Sequence, residues 1–201
     1  MLGRDAAVVV DPVGAVLAGG RARRLNGASK ACVALAGRPL VRYPLAALVG
    51  VCTRVAVVCK PATALPQLPA GVERWDEDDE PRHPATGIAS ALERAAGPVL
   101  VLATDMPFAG RPECERLLAA AREQPGAAAV IAAAAGRPQP TFGLYRPAAL
   151  GALRAVAVAG GRLTEAVVAL EPAVVELDGA VLAGVNTPAQ LAAAERVLRR
   201  A

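Results

Sequence analysis

Residues 13–30 read VGAVLAGGRARRLNGASK, and this stretch decides the fold. It begins with a short apolar run over residues 13–18, which has the length of a buried strand. Gly19 and Gly20 end that run, and a polar loop rich in arginine follows as far as Lys30. A buried strand that leads directly into a glycine-rich loop predicts an α/β protein whose ligand lies beyond the ends of its strands.

The rest of the chain repeats this order of strand, loop and helix. Further strands are predicted over residues 54–59, 72–75, 98–103, 139–145 and 174–177. Helices are predicted over residues 39–48, 86–96, 112–123, 146–158 and 163–170, and a last one follows the N-cap Thr187 with Pro188 at its first position. Residues 127–133 are mostly alanine and fit either a strand or a helix. Because the strands are apolar without alternation, both sheet faces must be covered, which predicts a three-layer α/β fold with a mostly parallel sheet.

Length and composition exclude several classes of protein. The chain has 201 residues, of which 54% are hydrophobic and 20% charged, so it can build its own core and is not intrinsically disordered. We find no linker between residues 1 and 201 and predict a single domain. Four cysteines without a CxxC pair, beside one histidine, exclude a disulfide framework and a cysteine-based metal site. Free thiols predict a reducing compartment, the cytoplasm.

Charge and hydropathy argue against nucleic acid and membrane as partners. The net charge is +4, but the basic residues are scattered, and aromatic residues, which would stack on bases, make up only 2% of the chain. No run of 18 apolar residues exists, which predicts no membrane span. The mild positive charge does suit an anionic ligand.

The glycine-rich loop is the first candidate site. Gly19 and Gly20 let backbone N–H groups approach an anion closely, and Arg23, Arg24 and Lys30 can neutralise phosphates. The loop matches neither the Walker pattern nor the GxGxxG fingerprint, so an ordinary turn with solvated arginines is the alternative. The chain uses arginine far more often than lysine, so a lysine in this loop suggests a role that a guanidinium does not fill.

Carboxylates that follow two strands are the next candidates. Asp105 comes after the strand over residues 98–103, where a carboxylate is a natural Mg²⁺ ligand, although a turn or capping aspartate is the alternative. The acidic run over residues 76–80 is mainly a solvated loop, in which Asp76, nearest the strand end, is best placed to reach a ligand. His83 is predicted to be a loop residue without a catalytic role.

Six short segments, in order, carry a family resemblance. They are LAGG through Lys30 (residues 17–30), GRPL (37–40), PATG (84–87), DMPF (105–108), GRPQP (136–140) and VNTP (185–188). Together they resemble the molybdenum cofactor guanylyltransferases, a branch of the Rossmann-like nucleotidyltransferases. The resemblance implies that the protein binds GTP with Mg²⁺, transfers GMP to the terminal phosphate of molybdopterin and releases pyrophosphate. Molybdoenzymes or their chaperones are the further partners that it implies.

The resemblance also implies a role for each matching residue. Leu17, Ala18, Gly19 and Gly20 would hold the nucleotide, and Lys30 with Arg24 would bind its phosphates. Asp76 would contact the guanosine end, Asp105 would bind Mg²⁺ and orient the α-phosphate, and Asn186 would lie on the acceptor side. Transfer of this kind is in-line displacement that depends on positioning and charge, so it needs no protein nucleophile.

Five places depart from the family pattern. Ser29 replaces an aspartate, Cys59 and Gly184 each replace an asparagine, His83 replaces a glycine, and residues 25–27 (LNG) stand where the pattern has a glycine after RRM. These changes leave open a cytidylyltransferase, a transferase for another phosphorylated acceptor, and a paralogue that binds without turnover. The LAGG sequence that ends at Gly20 argues against the cytidylyl branch, whose loop more often reads LAAG.

Overall fold

A seven-stranded sheet forms the middle of the protein in a computed structural model, which describes residues 11–20 and 29–200. The strands are β1 (Val13–Leu17), β2 (Ala34–Leu35), β3 (Arg38–Pro39), β4 (Val55–Cys59), β5 (Val72–Asp76), β6 (Val99–Ala103), β7 (Ala129–Ala134), β8 (Arg137–Tyr145) and β9 (Ala173–Glu176). The main sheet has the order β5-β4-β1-β6-β8-β7-β9, and β2 and β3 form a separate hairpin. All strands of the main sheet run parallel to their neighbours except β8.

The reversal of β8 follows from the turn that precedes it. β7 and β8 are joined by Ala135 and Gly136, both with positive φ, as in the tight turns that join antiparallel strands. A connection this short cannot cross over the sheet, so β8 must return antiparallel to β7. Residues 127–133, which fitted either state, contribute most of β7. The predicted three-layer fold with a mostly parallel sheet is confirmed.

The described residues form six helices: α1 (Arg42–Val49), α2 (Pro84–Ala95), α3 (Arg111–Glu123), α4 (Leu150–Ala159), α5 (Leu163–Val168) and α6 (Pro188–Leu198). The first five cover the two faces of the sheet, whereas α6 packs against the β2–β3 hairpin. Side chains of α1 and α3 join one core cluster with the sheet, and those of α2, α4 and α5 join a second cluster on the opposite face. Each face of the sheet is therefore buried under helices, which explains why its inner strands are apolar throughout.

The β2–β3 hairpin replaces part of a predicted helix. The sequence predicts a helix from residue 39, but Pro39 belongs to β3 and α1 begins only at Arg42. Ala36 and Gly37 have positive φ and close the hairpin. Leu35 and Leu40 lie buried in a third, small core against α6, and this burial holds the hairpin in place. The predicted cap of α6 is confirmed, since the Thr187 hydroxyl accepts a hydrogen bond from the Gln190 backbone N–H.

Within the described parts of the chain, no helix is long and apolar enough to cross a bilayer.

The parallel strands β5, β4, β1 and β6 all point their carboxyl ends to one edge of the sheet. Loops that follow these four strands therefore gather at that edge, where open α/β sheets bind their ligands.

His83 begins α2 as its N-cap rather than lying in a free loop. Its Nδ1 accepts a hydrogen bond from the Ala85 backbone N–H at 3.1 Å. Its Nε2–H donates to the Gly161 carbonyl at 2.9 Å, which ties α2 to the turn between α4 and α5. The imidazole therefore has a structural role that accounts for both ring nitrogens.

We expect His83→Ala to lower the free energy of unfolding by about 1–2 kcal/mol, because it removes a helix cap and a second hydrogen bond. His83→Asn is the matched variant, since asparagine caps helices but is too short to replace the imidazole at Gly161. Its loss of free energy of unfolding should be smaller than that of His83→Ala. Urea denaturation of the three proteins measures both effects. Equal stability of His83→Ala and the parent would contradict the capping role.

Candidate active site

A cleft of about 420 Å³ opens at the carboxyl edge of the sheet. The segment that leaves β1 forms its floor, and the loops after β4, β5 and β6 form its walls, together with the start of α2. Its lining residues are Leu17, Ala18, Gly19, Gly20, Lys30, Lys60, Glu77, Arg82, His83, Pro84, Gly87, Ala103, Thr104, Asp105 and Thr141. The predicted site at this edge of the sheet is therefore a concave surface, and it is lined by both positively and negatively charged side chains.

Three predicted site residues meet at one end of this cleft. The Lys30 ammonium lies 2.9 Å from Oδ2 of Asp105 and also donates a hydrogen bond to Oδ1 of Asn186. The Val185 N–H donates to the Asp105 backbone carbonyl at 2.8 Å, which fixes the segment carrying Asn186 beside the end of β6. The Lys30 side chain is 13% exposed and that of Asp105 25%, so both remain accessible from the cleft. A cation, a carboxylate and an amide from three distant parts of the sequence thus converge.

The donor set around Asp105 suits a magnesium ion. Only Oδ2 of Asp105 takes part in the hydrogen bonds of the described residues, and the Asn186 amide oxygen lies nearby as a second oxygen ligand. Mg²⁺ is commonly held by one or two carboxylates, with phosphate oxygens and water completing its shell. Residues 11–20 and 29–200 contain no group of three His, Cys, Asp or Glu side chains that could hold a metal ion. The residues present fit a metal that arrives with phosphates.

Thr104 anchors the glycine-rich loop, a contribution that sequence analysis missed. Its buried hydroxyl donates to the Leu17 carbonyl at 2.7 Å, and its backbone N–H donates to the same oxygen at 3.1 Å. On the other side the Ala18 N–H donates to the Val58 carbonyl at 2.8 Å. The start of the loop is therefore held between β6 and β4, which leaves the backbone beyond Ala18 to face the cleft.

Glu77, and not Asp76, provides the carboxylate at the other end of the cleft. The Asp76 side chain is exposed, pairs with Arg74 at 2.8 Å and does not line the cleft. The strand β5 continues through Asp76, so its side chain points away from the face that carries Trp75 and Glu77. The sequence could have indicated Glu77, because side chains two residues apart in a strand share a face and Trp75 is on the buried face. That inference required knowing that the strand continues through Asp76.

Glu77 is buried next to the second lysine of the cleft. The residue is 7% exposed, and its Oε1 lies 3.7 Å from Nζ of Lys60, which also donates to the Asp78 carbonyl. Burial raises the pKa of Glu77, and the Lys60 ammonium opposes that rise. A charged pair at this depth is costly unless its remaining hydrogen bonds are satisfied, so it marks a functional position.

The two loop glycines have different neighbours. A Cβ on Gly19 would overlap Oε1 of Glu77, whereas a Cβ on Gly20 would meet nothing within 4 Å. The close approach of the loop backbone to the Glu77 carboxylate therefore requires glycine at position 19.

We expect Gly19→Ala to lower the free energy of unfolding by about 1–3 kcal/mol, because the new methyl group must displace a buried, ion-paired side chain. Gly20→Ala serves as the control and should stay within about 0.5 kcal/mol of the parent. Urea unfolding curves compare them. If both alanine variants lower the free energy of unfolding equally, the packing of Glu77 against Gly19 is not the reason that position 19 requires glycine.

Arg24 lies outside the described residues, as does Arg23, and the predictions made for them stay predictions. Cys59 is buried at the end of β4 and does not line the cleft, so it belongs to the core.

Gly184 leaves room for the Asn186 amide, because a Cβ there would lie 3.0 Å from Nδ2. The asparagine that the family pattern has at this position would therefore crowd the amide of Asn186.

Comparison with known proteins decides the family. Residues 14–173 match the model of the MobA-like NTP transferase domain. The chain belongs to the MobA-like NTP transferase family. A probable molybdenum cofactor guanylyltransferase from Chloroflexus aggregans is 36% identical over 167 residues, which cover 78% of this chain and 76% of the relative. The molybdenum cofactor guanylyltransferase of Cereibacter sphaeroides is 33% identical over 206 residues, or 93% and 97% of the two chains.

A solved structure agrees with this assignment at the level of fold. Molybdopterin-guanine dinucleotide biosynthesis protein A from Archaeoglobus fulgidus superimposes with a TM-score of 0.74 at 23% identity, covering 94% of this chain and 100% of the other. The predicted Rossmann-like nucleotidyltransferase fold is confirmed. As a MobA-like NTP transferase, the protein is a nucleotidyltransferase enzyme, and the family resemblance carried by the six segments is confirmed.

Proposed function

We propose that the cleft binds GTP with Mg²⁺ and that the enzyme transfers GMP to the terminal phosphate of molybdopterin, releasing pyrophosphate. Family membership and two relatives named molybdenum cofactor guanylyltransferase support guanylyl transfer and do not favour the cytidylyl alternative. The observation that carries the proposal is the convergence of Lys30, Asp105 and Asn186 beside the glycine-rich loop.

The triphosphate takes the end of the cleft that holds Lys30. Backbone groups of residues 17–20 hold the nucleotide, and the Lys30 ammonium with Arg24 neutralises its phosphates. Asp105 and Asn186 are the residues that would hold the metal. Nucleotidyltransferases typically use a divalent metal, and bound Mg²⁺ would neutralise charge that develops on the phosphates. Asn186 lies on the acceptor side of this group.

The reaction proposed is in-line attack of a phosphate monoester on the α-phosphate of GTP. One P–O bond forms to the acceptor phosphate while the bond to pyrophosphate breaks, so no protein nucleophile is needed. The site agrees, since His83 caps a helix and Cys59 is buried away from the cleft. This chain contributes orientation and fixed charge, which account for most of the catalysis in such reactions.

The guanosine takes the end of the cleft that holds Glu77. The sequence assigned this contact to Asp76, but Glu77 is the carboxylate that lines the cleft. An ionised carboxylate accepts two N–H donors, and the guanine edge presents two, at N1 and N2. Glu77 therefore takes the role first given to Asp76.

Pyrophosphate release from each NTP, with Mg²⁺ and with or without molybdopterin, tests the proposal. GTP turnover that depends on the pterin supports it, and CTP turnover supports the cytidylyl alternative. Saturable GTP binding without release would indicate a non-catalytic paralogue. Molybdoenzymes or their chaperones as recipients, and a cytoplasmic location consistent with the four free cysteines, stay predictions.

A further inference from the structure

We propose that Lys60 is a specificity-determining positioning residue: as counter-ion of Glu77, it fixes the carboxylate as a double hydrogen-bond acceptor and so restricts the base to guanine. This inference rests on the proposed function, because it concerns the base of the nucleotide that the cleft binds. Lys60 acts through Glu77 and has no role in the transfer step itself.

The position of Lys60 is the first observation. Lys30 and Lys60 are the only lysines in the sequence, and both line the cleft, each beside a different carboxylate. Lys60 follows β4, is 8% exposed, and directs its ammonium to the Glu77 carboxylate and the Asp78 carbonyl. A buried lysine with these two partners is held in place at the wall of the cleft and is not a solvated surface charge.

The unused oxygen of Glu77 is the second observation. Oε1 faces Lys60, but Oε2 is buried and has no hydrogen-bond partner among the residues that the structure describes. It lies close to Gly87 at the start of α2, where the helix lacks a side chain. A buried acceptor left without a donor costs about 1–3 kcal/mol, so this oxygen is suited to a donor that a ligand brings.

The charge of the carboxyl group decides which base it can pair with. An ionised carboxylate offers acceptors only, which match the N1–H and N2–H groups of guanine. Adenine and cytosine instead present a ring nitrogen acceptor beside an amino donor. A protonated carboxyl, with one donor and one acceptor, matches these two bases, and it can pair with guanine only through O6 and N1–H, which leaves N2–H without its acceptor. Base choice therefore depends on whether Glu77 is ionised.

Lys60 is the charged group beside Glu77 that favours its ionised form. Burial raises the pKa of Glu77, and Asp78 and Asp79 raise it further, whereas Lys60 lowers it. Among the described residues, Gly19 of the loop and Gly87 of α2 lie next to the carboxylate, and neither carries a charge. Arg82 and His83 also line the cleft, but Arg82 pairs with Glu80 and both ring nitrogens of His83 are hydrogen-bonded to backbone. Without Lys60, Glu77 would hold its proton to a higher pH.

Four variants test this: Lys60→Met, Lys60→Arg, Glu77→Gln, and the Lys60→Met/Glu77→Gln double variant. We would measure dissociation constants for GTP, ATP and CTP with Mg²⁺ by equilibrium titration between about pH 6 and pH 9, and kcat and KM for pyrophosphate release. Lys60→Met should reduce the preference for GTP over ATP about tenfold or more near pH 6, the scale of one lost hydrogen bond to a charged group, because removal of the ammonium raises the pKa of Glu77 further. The preference should recover as the pH rises, and the loss in Lys60→Met should fall on KM for GTP more than on kcat.

The other variants separate positioning from mere structure. Lys60→Arg keeps the positive charge and should keep the preference. Glu77→Gln mimics the neutral carboxyl, so its loss of preference should be independent of pH, and adding Lys60→Met should change it little further. Circular dichroism checks that each variant is folded, and Glu77→Gln still tests the dependence on charge should Lys60→Met fail to fold.

Two results would overturn the inference: an unchanged preference and pH profile in Lys60→Met, or an equal loss for all three nucleotides at every pH. The second would mean that Lys60 contacts the phosphates or only supports the fold. Failure of the proposed function looks different. In that case the parent binds GTP selectively, with the expected response to Lys60→Met, but releases no pyrophosphate in the presence of molybdopterin.

Discussion

Replacing Asp105 with asparagine should lower kcat/KM for pyrophosphate release by about 10³-fold or more, which corresponds to about 4 kcal/mol of lost transition-state stabilisation. The substitution keeps the size of the side chain and removes its charge. It therefore weakens the site for Mg²⁺ and leaves the Lys30 ammonium without its 2.9 Å partner. The apparent Mg²⁺ concentration for half-maximal rate should also rise.

Asp76→Asn is the matched control for this variant. Asp76 also follows a strand of the same sheet, but its carboxylate is exposed and pairs with Arg74 outside the cleft. It should retain nearly the parent rate. Both variants should unfold within about 1 kcal/mol of the parent, because partly exposed ion pairs contribute little to stability. Near-normal turnover of Asp105→Asn would show that the metal is held elsewhere.

Lys30→Ala should cost about 2–4 kcal/mol of transition-state stabilisation, or about 30- to 1,000-fold in kcat/KM, the scale of losing one preorganised charge. The ammonium is fixed by Asp105 and Asn186 before any nucleotide binds, so little reorganisation is needed when phosphates replace these partners. If the lysine stabilises charge that develops during transfer, the loss should be mainly in kcat.

Steady-state rates with titrated GTP separate these contributions. Lys30→Arg is the informative companion, because it keeps the charge but presents a planar fork where the site holds a compact ammonium. We expect it to recover only part of the rate. A loss confined to KM in Lys30→Ala, with kcat intact, would reduce the lysine to a binding residue.

Much of the fold follows from local sequence. Apolar runs of five or six residues bounded by Gly, Pro and polar residues predicted β1, β4 and β6, and each is fully or almost fully buried in the sheet. The Thr-Pro pair that begins α6 was equally clear, because a cap needs only neighbours in sequence. The glycine-rich loop and Asp105 could be predicted because parallel strands bring their carboxyl ends to one edge.

The elements that the sequence did not predict depend on contacts with segments that are distant in the sequence. The alanine-rich β7 is extended because β8 and β9 flank it on both sides, and alanine alone does not choose between strand and helix. The β2–β3 hairpin displaced the first turn of a predicted helix because Leu35 and Leu40 find a core against α6. In both cases packing between remote segments outweighed a weak local preference.

The sequence by itself determined that this is an α/β nucleotidyltransferase with a lysine and an aspartate at one sheet edge, because strand length, turn residues and motif order are properties of adjacent residues. Tertiary structure alone decided that Glu77 lines the cleft while Asp76 does not, and that Lys60 is its counter-ion. The physical reason is the two-residue alternation of a strand: because β5 continues through Asp76, the side chains of Asp76 and Glu77 point to opposite faces. Where β5 ends is set by its pairing with β4.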